Sequence, residues 1–226
     1  MEKVWLYAAI GGFTPAIVWL IFWINEDKCE PEPKRMILKT FLFGAFSAFF
    51  AVFIELLISQ AQIVQNHKVF LFALTEEIVK FMAFFFAVFG SKWDNEKSDP
   101  ILYMITAALG FAAVENMYYI IDYISNNQYI QTLLDGSYRF IGATLLHVVS
   151  SATVGFLITF MYHKKLLVRL LFAVLGIVLA TFIHYGFNVL VMNENVIFQE
   201  IAFVSSWVFT IFFLAIFEIF DTKCEV

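Results

Sequence analysis

Long apolar runs broken by short polar stretches organise this chain. Seven segments of twenty or more residues, near 4–24, 36–59, 69–90, 101–124, 138–162, 166–192 and 196–220, carry few charges and no strict two-residue alternation. A hydrocarbon layer about 30 Å thick is crossed by about 20 helical residues. Lipid offers no hydrogen bonds to a backbone, so each such segment is expected to be a helix rather than a barrel strand. The pattern predicts an all-α polytopic membrane bundle of about seven transmembrane helices. It forms a single domain over 1–226, with no internal repeat or low-complexity tract. The first segment is longer than the 7–15 residues of a signal-peptide core and reads as a retained span.

Composition sharpens this picture. The 226 residues are 62% hydrophobic, 19% aromatic and 15% charged, with a mean hydropathy of +0.82. A soluble domain runs at about 45–50% apolar and about 25% charged, so a soluble enzyme is excluded. A net charge of −5 with only 14 Lys and Arg also excludes a nucleic-acid binder. Ten of the basic residues, among them Lys34, Arg35, Lys39, Lys92 and Arg169, fall on the side shared by the loops after segments one, three and five and by the C-terminus. Lys3, Lys68 and Arg139 fall on the other. The positive-inside rule then predicts a multi-pass protein of the cell membrane, N-terminus outside and C-terminus cytoplasmic. Cys29 and Cys224 have no zinc-finger spacing and are expected as free thiols on the reducing side.

The costly residues are the informative ones. Segment three has 13 Val, Leu, Ile and Phe residues around Glu76, Glu77 and Lys80. On an insertion scale those contribute about −6 kcal/mol against about +9 kcal/mol for the three charges. This helix needs partners. Lys80 lies about 40° from Glu76 and about 60° from Glu77 on the helical wheel, so an ion-pair triad is within reach. Glu115 interrupts segment four, His147 segment five, and His184 with Asn188 segment six. At about 1.5 Å per residue from the nearest outer end, Glu76 and Glu77 lie about 10–12 Å deep, Glu115 and His147 about 13 Å, and His184 about 12 Å. Four helices of alternating direction therefore put these residues in one layer of the outer half of the membrane, which predicts one shared site. Carboxylates and imidazoles around one cavity suit water activation, with a carboxylate as general base and imidazoles holding a metal or an oxyanion.

These residues carry a resemblance. Glu76-Glu77-Ile78-Val79-Lys80 matches an EExxK motif, and Phe111 to Asn116 an FxxxEN motif. Arg139 is followed eight residues later by His147 and Ser151 as HxxxS, and His184 to Asn188 form HxxxN. The four motifs, in this order within a core of about 68–192, resemble the PrsW family of intramembrane proteases, related to the CAAX prenyl endopeptidases. The resemblance implies cleavage of single-pass membrane proteins of the anti-sigma-factor kind near the extracytoplasmic face. It implies Glu76 as the water-activating base, with Glu77 assisting or positioned by Lys80. His147 and His184 would bind a metal or the developing oxyanion, and Asn188 would donate to that oxyanion. The prenyl endopeptidases have a histidine where Glu115 stands. Two routes therefore stay open: a Zn2+ site of Glu115, His147 and His184, or a metal-free glutamic mechanism. No organic cofactor is expected.

Bland readings compete with these. Asn116, Ser151 and Asn188 are common helix-packing residues, and single intramembrane histidines often only bridge helices. Arg139 either snorkels to the headgroups or reaches the site. Glu55 either lines a water path or pairs with Arg139. The polar stretch 122–137 is expected as an outer loop able to meet a substrate. A proton- or ion-coupled transporter is the alternative function, since intramembrane Glu and His also mark such pathways. Against it stand the absence of repeated halves and of paired broken helices. A receptor that keeps the scaffold without catalysis is a third.

Overall fold

The computed structural model describes the backbone of residues 2–28, 30–125 and 129–221, and the side chains of 4–28, 30–125 and 142–220. Cys29, Cys224 and the side chain of Arg139 lie outside the described residues. Among the described residues seven helices follow in chain order: α1 (Glu2–Glu26), α2 (Lys34–Gln60), α3 (Gln65–Ala87), α4 (Asp99–Ser125), α5 (Tyr129–Phe160), α6 (Leu166–Val191) and α7 (Val196–Asp221). The chain is an all-α multi-pass membrane bundle. Six of the helices are long and apolar enough to cross a membrane, and the seventh, α3, misses only because of its charges.

Two boundaries differ informatively from expectation. Helix α5 begins at Tyr129 rather than near 138, so most of the stretch expected as a loop is helical backbone. Ile130, Leu133 and Leu134 recur at helical spacing there, a pattern that a search for uninterrupted apolar runs passes over. Between α6 and α7 the short polar stretch does break the helix. Asn193 Oδ1 accepts the Asn195 N–H at 2.9 Å, and Asn195 Oδ1 accepts the Ile197 N–H at 3.0 Å, capping α7.

Helix α4 is the axis of the bundle, packed against α1, α2, α3 and α5. Every residue from Asp99 to Ala113 is buried. Contact with α2 is backbone to backbone: a Cβ on Gly44 would strike the Ala107 carbonyl, and one on Gly110 the Phe41 carbonyl. Small residues at such crossings let membrane helices gain dispersion contact, since lipid provides no hydrophobic drive between them. The outward faces of α2, α6 and α7 instead expose large apolar side chains, including Phe49 at 62% and Ile211 at 62%. Such a surface suits contact with lipid. Central α4, with α3, α5 and α6 around it, frames the polar layer.

Candidate active site

The layer inferred from helix depth is a single contact network. Lys80 Nζ donates to Glu77 Oε1 at 2.6 Å and lies 3.1 Å from His147 Nδ1. His147 Nε2 lies 2.6 Å from Glu115 Oε2, and His184 Nδ1 lies 2.7 Å from Glu77 Oε1. The two imidazole rings meet edge to face, with centroids 5.4 Å apart. Residues up to 107 positions apart in sequence thus touch directly. Glu76, Glu77, Lys80, His147 and His184 are all buried, whereas the Glu115 side chain is 21% exposed.

Partnering fixes how the rings present themselves. A carboxylate accepts, so His147 donates Nε2–H to Glu115 and His184 donates Nδ1–H to Glu77. Of the remaining ring nitrogens, His147 Nδ1 accepts from Lys80 Nζ at 3.1 Å, while His184 Nε2 keeps an unengaged lone pair that faces Glu76. Carboxylates that orient imidazoles in this way commonly stand behind ligating histidines. Into the space between the rings points Glu76 Oε2, 3.9 Å from His147 Nδ1 and 3.6 Å from His184 Nε2. That oxygen is buried and makes no hydrogen bond. A buried carboxylate oxygen without a partner is costly enough to require explanation.

The ion-pair triad available on α3 is therefore divided. Lys80 bonds Glu77 and reaches across to α5, while Glu76 turns to the histidines. Phe111 closes one side: its ring lies 5.3 Å from Lys80 Nζ and 5.5 Å from the His147 ring. Its place one turn before Glu115 was the signal for this packing. Asn116 Nδ2 donates to Thr144 Oγ1 at 3.1 Å, which ties α4 to α5. Ser151 is buried and its Oγ has no partner. Asn188, one turn beyond His184, is half-buried and makes no side-chain hydrogen bond among the described residues.

The donors can be tested for fit to a divalent ion. Ligand atoms of Glu76, His147 and His184 all lie within 4.8 Å of one another. Tetrahedral zinc ligands stand about 3.3 Å apart, so a small contraction closes the set. Two lone-pair nitrogens and one orphaned carboxylate oxygen are the right chemistry. With every carboxyl ionised, three carboxylates face one ammonium, an excess that a dication neutralises. The ammonium of Lys80 stands on His147 Nδ1 and must withdraw to Glu77 for that nitrogen to ligate. Glu115, expected among the ligands, instead lies behind His147 on its Nε2 side. The residues fit the ion.

Fold and site together define a class, a polytopic membrane protein enclosing a carboxylate–imidazole centre. The PrsW family of intramembrane metalloproteases matches residues 32–216, and the chain belongs to that family. It is similar to the "Protease PrsW" of Geobacillus kaustophilus (strain HTA426), 30% identical over 157 residues that cover 68% of this chain and 64% of the relative. The "Protease PrsW" of Clostridioides difficile (strain 630) is 28% identical, covering 77% of this chain and 75% of the relative. That of Bacillus subtilis (strain 168) is 24% identical, covering 88% and 90%. No solved structure matches the chain.

Proposed function

We propose that this chain is an intramembrane endopeptidase that hydrolyses a peptide bond of a single-pass membrane protein. The carrying observation is Glu76 Oε2, buried, without a hydrogen bond, and lying 3.9 Å from His147 Nδ1 and 3.6 Å from His184 Nε2. Glu77 bonds Lys80 and His184 through Oε1 and Glu115 bonds His147 through Oε2, although Glu77 Oε2 has no partner; Glu76, which bonds neither Lys80 nor an imidazole, is the carboxylate assigned to take a proton. In this reading a water placed beside Glu76 loses its proton to that carboxylate as it attacks the scissile carbonyl. Glu76 then returns the proton to the leaving amine. Glu77 and Lys80 hold His184 and His147 in register. Asn188 faces the same helix side as His184 and donates to the developing oxyanion once substrate brings it near. In the alternative, metal-dependent route Glu76, His147 and His184 would hold a divalent ion such as Zn2+, whose chemistry would be to polarise a carbonyl and acidify water in place of a free Glu76 base.

The membrane setting completes the reading. Positive-inside orientation puts the site in the outer half of the cell membrane, N-terminus outside and C-terminus cytoplasmic. Anti-sigma-factor-like proteins are substrates of the appropriate form, with one span and an extracytoplasmic segment. Side-chain exposure of Glu115 supplies water to an otherwise closed cluster.

The test uses the purified chain in liposomes with a single-pass substrate, products identified by mass. Wild type cleaves; Glu76→Gln and His184→Ala fold and do not. Undiminished cleavage by Glu76→Gln rejects the assignment. Elemental analysis of the same samples, expected to give one metal equivalent in wild type and little in His184→Ala, tests the ion separately. Full cleavage by metal-free protein would assign hydrolysis to Glu76 alone.

A further inference from the structure

At the far end of the bundle from the carboxylate–imidazole layer, the start of α2 and the end of α3 border an open cavity of about 480 Å3. Three cationic side chains line it, Arg35, Lys39 and Lys92, together with Ser91, Met36 and Trp93. No lining residue is acidic. Lys92 Nζ stacks over the Trp93 ring, 4.7 Å from its centroid. Lys39 Nζ donates to the Ala87 carbonyl at 2.9 Å and closes the end of α3. Arg35 and Lys92 are exposed.

A second observation makes this more than a solvated basic face. Helix α2 opens at Pro33 with no side-chain cap and no acidic residue in its first turn, but with Lys34 and Arg35 there. The N-terminal end of a helix carries positive partial charge from unsatisfied N–H groups, so cations there repel it and anions are favoured. Glu32, the residue before Pro33, is bonded to Tyr103 rather than to this helix end, so an anion in the cavity would complement Lys34 and Arg35. Beyond the cations, α2 presents exposed Leu38, Leu42, Phe46 and Phe49 at helical spacing toward the membrane interior. An amphipathic Trp at the mouth suits the membrane–water interface.

We propose that this cavity binds the anionic headgroup of a membrane phospholipid, its phosphate held by Arg35, Lys39 and Lys92 and its acyl chains laid along the apolar stripe of α2. Basic pockets between membrane helices take anionic headgroups in this way. The stripe distinguishes a lipid from a free phosphate ester, which would use the cations alone. The site is separate from the carboxylate–imidazole centre and does not depend on the proteolytic reading.

The experiment uses the intact chain in detergent, with native mass spectrometry reading bound ligand. The three ligands are phosphatidylglycerol, phosphatidylcholine with identical acyl chains, and soluble glycerol phosphate. Phosphatidylglycerol should bind saturably and about tenfold or more tighter than phosphatidylcholine. The double variant Arg35→Gln/Lys92→Gln should lose about twenty-five-fold in phosphatidylglycerol affinity, at about a fivefold loss per cation. Helical content and melting temperature should stay unchanged, and Lys92→Arg should retain binding. Equal affinity for the two lipids, or undiminished binding by the double variant, overturns the proposal. Displacement of phosphatidylglycerol by an equal concentration of glycerol phosphate also overturns it, by assigning the pocket to a soluble phosphate ester.

Discussion

Charged side chains are buried at two levels of this bundle, and they are partnered differently. In the segment joining α3 to α4, Asp94 takes two hydrogen bonds from Arg169 Nη2, at 2.8 and 2.7 Å, and one from the Gly90 N–H at 2.9 Å. Asp99 accepts the Asn95 and Glu96 N–H groups at 2.7 and 2.6 Å. Glu32 accepts from the Tyr103 hydroxyl and its own backbone N–H donates to Asp27. Each carboxylate there is spent on holding a loop or a neighbouring helix. Arg169 Nε is unpartnered at that level too, but beside a carboxylate already bonded; in the carboxylate–imidazole layer one oxygen of Glu76, one of Glu77 and the Ser151 hydroxyl all lack a partner. Burial of charge alone therefore does not mark a site; unspent bonding capacity, gathered where lone pairs converge, does.

That contrast can be broken by substitution. The largest effect is expected from Glu76→Gln, which should lower single-turnover cleavage by about a thousandfold or more while leaving thermal stability equal or raised. A stability loss instead would return Glu76 to the structural class. At the other level Asp94→Ala should do the reverse. It strands the buried Arg169 guanidinium and should cost about 3–5 kcal/mol, measured by reversible unfolding in mixed micelles. Gly110→Ala, which drives a methyl into the Phe41 carbonyl, should cost about 1–3 kcal/mol, and any loss of activity should track the loss of folded protein.

The smallest effect concerns pH. Burial, only partly offset by the hydrogen bond from Tyr103, holds the Glu32 carboxyl above its ordinary value of 4.5. The folded chain therefore keeps a proton that the unfolded chain surrenders. This contribution is fully present below about pH 4.5 and fades as pH rises through the higher folded value. Melting temperatures should fall over that window in wild type and fall less in Glu32→Gln. Equal slopes would mean that Glu32 is already ionised in the fold.

Much of this was legible in the sequence, and the unread part has a common physical cause. The number of helices and the common depth of Glu76, Glu115, His147 and His184 follow from apolar run lengths and a fixed rise per residue. Who bonds whom did not follow. Glu76 and Lys80 share a helical face, yet Lys80 chose Glu77 and His147, because rotation of α3 against α5 and α6 decides between equal local options. Arg169 reads in sequence as one more juxtamembrane cation, and Asp94 as a solvated loop acid. Nothing local announces that a 75-residue separation closes into a buried ion pair, with Arg169 Nη2 shared between both Asp94 oxygens. The early start of α5 was missed because its first turns are amphipathic rather than apolar.

Helix α3 carries a consequence for how the protein is made. Lys80 and Glu77 pair within α3, but their further partners His147 and His184, which Glu76 also faces, come from α5 and α6, and both of those helices are synthesised later. As it leaves the ribosome, α3 is thus a span without a settled place in the bilayer. It must linger at the insertion machinery or ride on α2 until the second half of the chain arrives. Biogenesis of this bundle is in that sense back-loaded, with the residues proposed for chemistry also setting the moment at which the membrane protein becomes whole.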